Sequence, residues 1–136
     1  MSETRLTFGK SKRLRGRGVF KEIMDARARV DGPAIAVHAR PNQGSTHRLG
    51  ISIGRRVGSA ALRNRIKRLI REAFRLQQHE FPRVHPAPYD LVVVVRQHEP
   101  LALLHYSTAL SDAVKRLHAT WQKRATRHHA DQSKDS

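Results

Sequence analysis

The sequence predicts an α+β fold, a two-layer α-β sandwich with elements in the order α-β-β-(β)-α-β-α. Three patterns in the 136 residues lead there. Two short segments alternate apolar and small or polar residues, which is strand periodicity. One run, Leu91 to Val95, is unbroken and rich in Val, as in a strand buried on both faces. Two longer segments repeat apolar residues at helical spacing, and mixed helices and strands of this kind pack as layers around one core.

The first element is a short amphipathic helix starting at Arg17. Val19, Phe20, Ile23 and Met24 fall at i, i+1, i+4 and i+5, one face of a 3.6-residue repeat. Asp31-Gly32-Pro33 is a turn, and a short extra strand fits near Ala28 to Val30. Beyond the turn, Ile35, Val37 and Ala39 alternate with Ala36, His38 and Arg40. After the turn-forming loop "PNQGSTH", Leu49, Ile51 and Ile53 alternate with Gly50, Ser52 and Gly54. The second strand is expected antiparallel to the first. Its Gly-Ser face leaves backbone open to a close neighbour, either a helix packed above it or a ligand.

The second helix has Ser59 as its candidate N-cap and meets no Pro or Gly until Pro82. At about 100° per residue, Leu62, Ile66, Leu69, Ile70 and Ala73 gather on one side. Asn64, Lys67, Arg68, Arg71 and Arg75 gather opposite, with Arg63 and Arg65 at the boundary. The Pro-rich connection "HEFPRVHPAPYD" leads into the buried strand. A last helix carries Leu103, Tyr106, Leu110, Ala113, Val114, Leu117 and Trp121 on one face. Residues 1–16, polar and glycine-interrupted, read as a basic flexible arm, 17–121 as the single folded domain, and 122–136 as a disordered tail without apolar periodicity.

Charge narrows the function. The chain holds 27 Lys plus Arg against 11 Asp plus Glu, a formal net charge of +16, which attracts polyanions at long range. Between Arg55 and Arg75 stand eight basic residues, seven of them Arg, with Glu72 the only acid. Like charges at i, i+3 and i+4 destabilise an isolated helix, so this one-sided face calls for a polyanionic partner, and the planar Arg fork suits phosphate and bases. RNA fits better than DNA, because zinc-ligand spacing, dimerising heptads and a helix-turn-helix partner are missing. No apolar run reaches the roughly 18 residues of a membrane span and the first residues do not read as a secretory signal, so a cytoplasmic protein is expected. With no Cys, thiolate metal sites and thiol nucleophiles drop out. HExxH, GxSxG and Walker-type motifs are also missing. Glu22 and Asp25, at i, i+3, read as a solvated helix face rather than a metal site, and the histidines are scattered.

The segment "GISIGRRVGSAALRNRIKRLIREAFR", Gly50 to Arg75, closely resembles the signature of the protein subunit of bacterial ribonuclease P. Its strand exit with glycine and its Arg-Asn-Arg-x-x-Lys-Arg-x-x-Arg helix occur together. Weaker similarity runs from "KRLRGRGVFKEIM" through "YDLVVVVR" to the final helix, roughly residues 12 to 121. The resemblance implies a left-handed β-α-β crossover through the basic helix and a holoenzyme in which a large RNA cleaves the 5′ leader from precursor tRNA. Mg²⁺ would be bound mainly by that RNA. The protein would lower the Mg²⁺ requirement and improve substrate affinity, with no further protein partner required. By the same resemblance, Arg55, Arg56, Arg63, Asn64, Arg65, Lys67, Arg68 and Arg71 would meet the catalytic RNA. Phe20, Met24 and His38 would line the cleft for the single-stranded leader. The family often places aromatic residues where this chain has Met24 and His38; Met can still cover a base and His can stack or hydrogen-bond. Two other classes share the charge: a ribosomal-type structural protein, which would not tell precursor from mature tRNA, and a membrane-surface or DNA-compacting protein, which would bind any polyanion.

Overall fold

A computed structural model describes residues 13, 14, 17–84 and 87–134. In chain order the elements are α1 (Arg17–Asp25), β1 (Arg29–Asp31), β2 (Ile35–Pro41), β3 (Arg48–Ile53), a 3-10 turn (Arg55–Val57), α2 (Ala60–Gln77), β4 (Tyr89–Val95) and α3 (Leu103–Lys134). The extra strand expected near Ala28 to Val30 is β1. The sheet order is β1-β2-β4-β3. β4 inserts between β2 and β3, antiparallel to the first and parallel to the second. The strands at Ile35 and Leu49 are therefore antiparallel, as expected, but not neighbours. The parallel pair β3 and β4 needs a crossover, which α2 supplies.

Alternation along the strands sorts the sheet into two unlike faces. Ile35, Val37, Ala39, Leu49, Leu91, Val93 and Val95 join Ile66, Ile70, Ala73 and Phe74 of α2 and Tyr106, Leu110, Ala113, Val114 and Leu117 of α3 in one buried cluster. Phe74, completely buried, belongs to this seam although the apolar stripe read from sequence stopped at Ala73. Burying such a ring contributes about 2 kcal/mol. On the other face Leu14, Ile23 and Val92 form a smaller cluster with Val19, Phe20, Met24 and Val94. Thus α2 and α3 make the helical layer, and α1 crosses the opposite side of the sheet.

Two expectations about the chain ends change. Of the predicted arm, most lies outside the described residues, but Leu14 is buried and its N–H donates to the Leu49 carbonyl at 2.9 Å. Arg13 bridges to Leu49 in parallel, so this part of the arm extends the sheet's edge. At the other end the helix does not stop at Trp121: α3 continues through the predicted tail to Lys134. Side-chain fork bonds replace the missing apolar periodicity there, because Arg124 donates to the carbonyls of Ala26 and Arg27.

Candidate nucleic-acid interface

The entry to α2 is fixed by local chemistry. Gly58, at φ 152°, follows the 3-10 turn, and a Cβ there would lie 2.7 Å from Leu62. The positive φ is what favours glycine there, and a side chain would in addition have to displace the tip of Leu62. Ser59 then accepts from the Leu62 N–H at 3.2 Å, the N-cap expected from the sequence. Arg55 and Arg56, in the turn between β3 and this cap, are both exposed.

From there the predicted basic residues divide. Asn64, Lys67, Arg68 and Arg71 line one groove with Ala61, and no carboxylate lines it. Arg65 is exposed and lies close enough to the Tyr106 hydroxyl, on α3, to act on its ionisation. Arg63 sits about 100° from Leu62 on the helical wheel, within the arc of Ile66, Ile70 and Phe74. It is half-buried, and its Nε is buried without a hydrogen-bond partner. Arg75 is tied to Glu72 through Nε at 2.9 Å and Nη2 at 2.5 Å. That half-buried pair removes Arg75 from the groove's free charge.

Arg71 also faces a second recess, which it lines with Arg13, Leu14, Phe20, Leu49, Gly50 and Ile51. Burial and then the nearby Arg13 charge lower the Arg71 pKa. An anion placed here would offset both penalties. Phe20 closes the floor: its ring lies so close to Gly50 that a Cβ on that glycine would be 2.6 Å from Cζ. The open Gly-Ser strand face is thus filled by a helix at its Gly50 end.

Met24 and His38 are not in that recess. They line a separate hollow with Arg27, Arg29 and Asp31, of about 430 Å³. Of the three residues that the family resemblance grouped, Phe20 lines one hollow under α1 and Met24 and His38 the other, while Phe20 and Met24 pack against the same apolar cluster. His38 is 8% exposed and its Nδ1 is buried with no hydrogen-bond partner. Burial, followed by the charge of Arg29, lowers its pKa, against a smaller opposing effect of Asp31. The neutral ring is therefore favoured, offering either an N–H or a lone pair to whatever enters.

Arg29 owes its place to register, since it stands directly across from His38. Arg13 had no periodic signal to reveal it. Five carboxylates are engaged in ion pairs: Asp25 with Lys21, Glu22 with Arg40, Asp31 with Arg29 and Arg96, Glu72 with Arg75, and Asp90 with Arg48. Among the described residues there is no group of three or more His, Asp or Glu that could hold a metal ion. Among the described residues no helix is long and apolar enough to cross a membrane.

Comparison with known proteins places this arrangement. The Ribonuclease P family model matches residues 8–122. The ribonuclease P protein component of Photorhabdus laumondii is 40% identical over 94 residues, 68% of this chain and 75% of that protein. That of Geotalea uraniireducens is 32% identical over 111 residues, 82% of this chain and 95% of the other. Among solved structures, the RNase P protein from Thermotoga maritima superposes with a TM-score of 0.66 at 30% identity, covering 76% of this chain and 96% of that one. A match over most of the domain, shared by sequence and by fold, leaves one conclusion: the chain belongs to the ribonuclease P protein family.

Proposed function

We propose that this chain is the protein subunit of a ribonuclease P ribonucleoprotein that removes the 5′ leader from precursor tRNA in the cytoplasm. The observation that carries the reading is the groove of Asn64, Lys67, Arg68 and Arg71, basic and free of lining carboxylates, on a chain of this family. In this reading the groove docks the catalytic RNA through phosphates, with Arg55, Arg56 and Arg65 extending the contact and Arg63 contributing from its half-buried position. Phosphate contacts of this kind position the partner and do not read its sequence.

The leader passes beneath α1. Arg13 and Arg71 neutralise its phosphates beside Phe20, and the hollow of Met24 and His38 takes an unpaired base against an apolar face and one ring nitrogen. The chemistry is hydrolysis of one phosphodiester bond, with Mg²⁺ held by the RNA supplying charge stabilisation of the attacking and leaving oxygens. The chain's own work is to hold the leader and to reduce repulsion between RNA strands, which lowers the Mg²⁺ requirement.

The test is cleavage of precursor tRNA by the cognate catalytic RNA at low Mg²⁺, with and without the protein. Wild type should restore correct 5′ maturation, and a triple variant with Lys67, Arg68 and Arg71 changed to Ala should not. If roughly six phosphates are contacted, affinity for the RNA should fall about three decades between about 50 and 200 mM salt. Absence of stimulation, with the RNA active at high Mg²⁺, would leave a general RNA-binding protein.

A further inference from the structure

The C-terminal extension of α3 carries an arrangement that the function above does not use. The family match ends at residue 122, and two residues later Arg124 reaches back across the molecule. Its Nη1 donates to the Ala26 carbonyl at 2.7 Å and its Nη2 to the Arg27 carbonyl at 3.1 Å. The guanidinium lies over Trp121, 4.6 Å from the ring centroid, and the Trp121 Nε1–H donates to the Ala39 carbonyl at 3.0 Å.

These contacts join two walls of one hollow. Ala26 and Arg27 form the exit of α1, just after Met24. Ala39 follows His38 on β2, and its N–H is held by the Ala28 carbonyl at 3.2 Å. Met24, Arg27 and His38 all line the same space. The α1 exit also needs support, because Arg27 has φ 55°, a left-handed conformation that is unfavourable for a residue other than glycine. The C-terminal end of a helix is electronegative, and a planar guanidinium answers two carbonyls at once in the turn that follows Asp25, the last residue of α1.

We infer that Arg124, stacked on Trp121, is a positioning residue that fixes the distance between the α1 exit and β2 and so sets the shape of the hollow for a single-stranded RNA base. The inference rests on the leader-binding reading given above. Arg124 touches no substrate; it acts through Ala26, Arg27 and, by way of Trp121, Ala39. This chain thereby stiffens with its own extension a hollow that it lines with a methionine and a histidine.

The experiment uses the holoenzyme reconstituted from the catalytic RNA and full-length protein. Affinity is measured for precursor tRNA and for the mature tRNA lacking the leader, with wild type, Arg124→Ala and Arg124→Lys. Affinity of each protein for the catalytic RNA and its thermal midpoint are recorded alongside. Wild type should prefer the precursor. Arg124→Ala should lose about tenfold of that preference, less than the roughly hundredfold that a full ångström of misplacement can cost. Its affinity for mature tRNA and for the catalytic RNA should hold, and KM should move with little change in kcat. Arg124→Lys, able to reach one carbonyl but not to fork, should recover part of the loss.

A wild type without preference for the precursor would sink the leader reading and the latch together. A wild type with preference that Arg124→Ala retains would overturn the latch alone. A variant that weakens every RNA affinity in parallel with a fallen thermal midpoint would assign Arg124 to general stability, and that too would overturn it.

Discussion

Two buried histidines, His47 and His38, lie on opposite sides of this sheet, 3% and 8% exposed. In both, burial lowers the pKa. Their surroundings differ in one respect. His47 uses both nitrogens: the Tyr89 N–H donates to Nδ1 at 2.9 Å, and Nε2 lies 3.3 Å from the Phe81 carbonyl, which fixes the Nε2–H tautomer. Its ring stacks on Tyr89 and meets Phe81 edge-on. His38 leaves Nδ1 unanswered at the edge of a hollow. A satisfied buried histidine is part of the core; a buried polar atom without a partner costs stability unless a ligand completes it. The lesson is that burial alone does not distinguish structure from function, whereas the count of satisfied nitrogens does.

The comparison can be broken most forcefully at His47. His47→Ala removes partners from a buried N–H and a buried carbonyl and leaves a cavity, so unfolding stability should fall by about 3 kcal/mol or more, read by urea denaturation at neutral pH. A loss no larger than that of an exposed histidine would show that its bonds contribute nothing.

The same residue predicts a pH dependence. Burial pushes the His47 pKa down to about 4 from its ordinary 6.5. Because the folded-state value lies below the unfolded one, the stabilisation is complete above pH 6.5 and is lost as pH falls from 6.5 toward 4. The full loss is on the order of 3 kcal/mol. Urea midpoints across that interval should decline in wild type and flatten in His47→Gln.

Between these extremes stands Gly50, where the face beneath α1 is already full. Gly50→Ala should displace Phe20, at a cost of about 1 to 3 kcal/mol, with a shift in the Phe20 ring resonances. An unchanged ring environment would mean that the recess is looser than the 2.6 Å approach implies.

His38 should behave in the opposite sense to His47. Replacing it by Leu removes an unpartnered buried nitrogen, so stability should hold or rise by about 1 kcal/mol while preference for precursor over mature tRNA weakens. A stability loss like that of His47→Ala would erase the distinction.

The smallest effect is expected at Arg27, whose left-handed φ of 55° suits glycine. Arg27→Gly should gain no more than about 1 kcal/mol, visible as a modest rise in thermal midpoint.

Much of the fold was legible because it follows from local periodicity. Ile35 to Arg40 and Leu49 to Gly54 alternate, Ser59 caps, and the stripe from Leu62 to Ala73 repeats at helical spacing. Each signal is carried by residues within a few positions of one another. The basic groove was legible for the same reason, since Asn64, Lys67, Arg68 and Arg71 occupy one side of a single helix. Arg63 was less so, because a residue on the edge of an apolar arc turns inward or outward according to what packs against it.

What tertiary structure alone decided is which distant segments meet. The insertion of β4 between β2 and β3, the nearness of Arg13 to Arg71, the separation of Phe20 from the hollow of Met24 and His38, and the grip of Arg124 on the end of α1 have no local pattern. The sequence by itself determined the elements, their apolar faces and a helix with a one-sided basic face, because propensity and periodicity act over one or two turns. The shape of the two hollows came from long-range contacts, whose energy depends on geometry that no short stretch of chain contains.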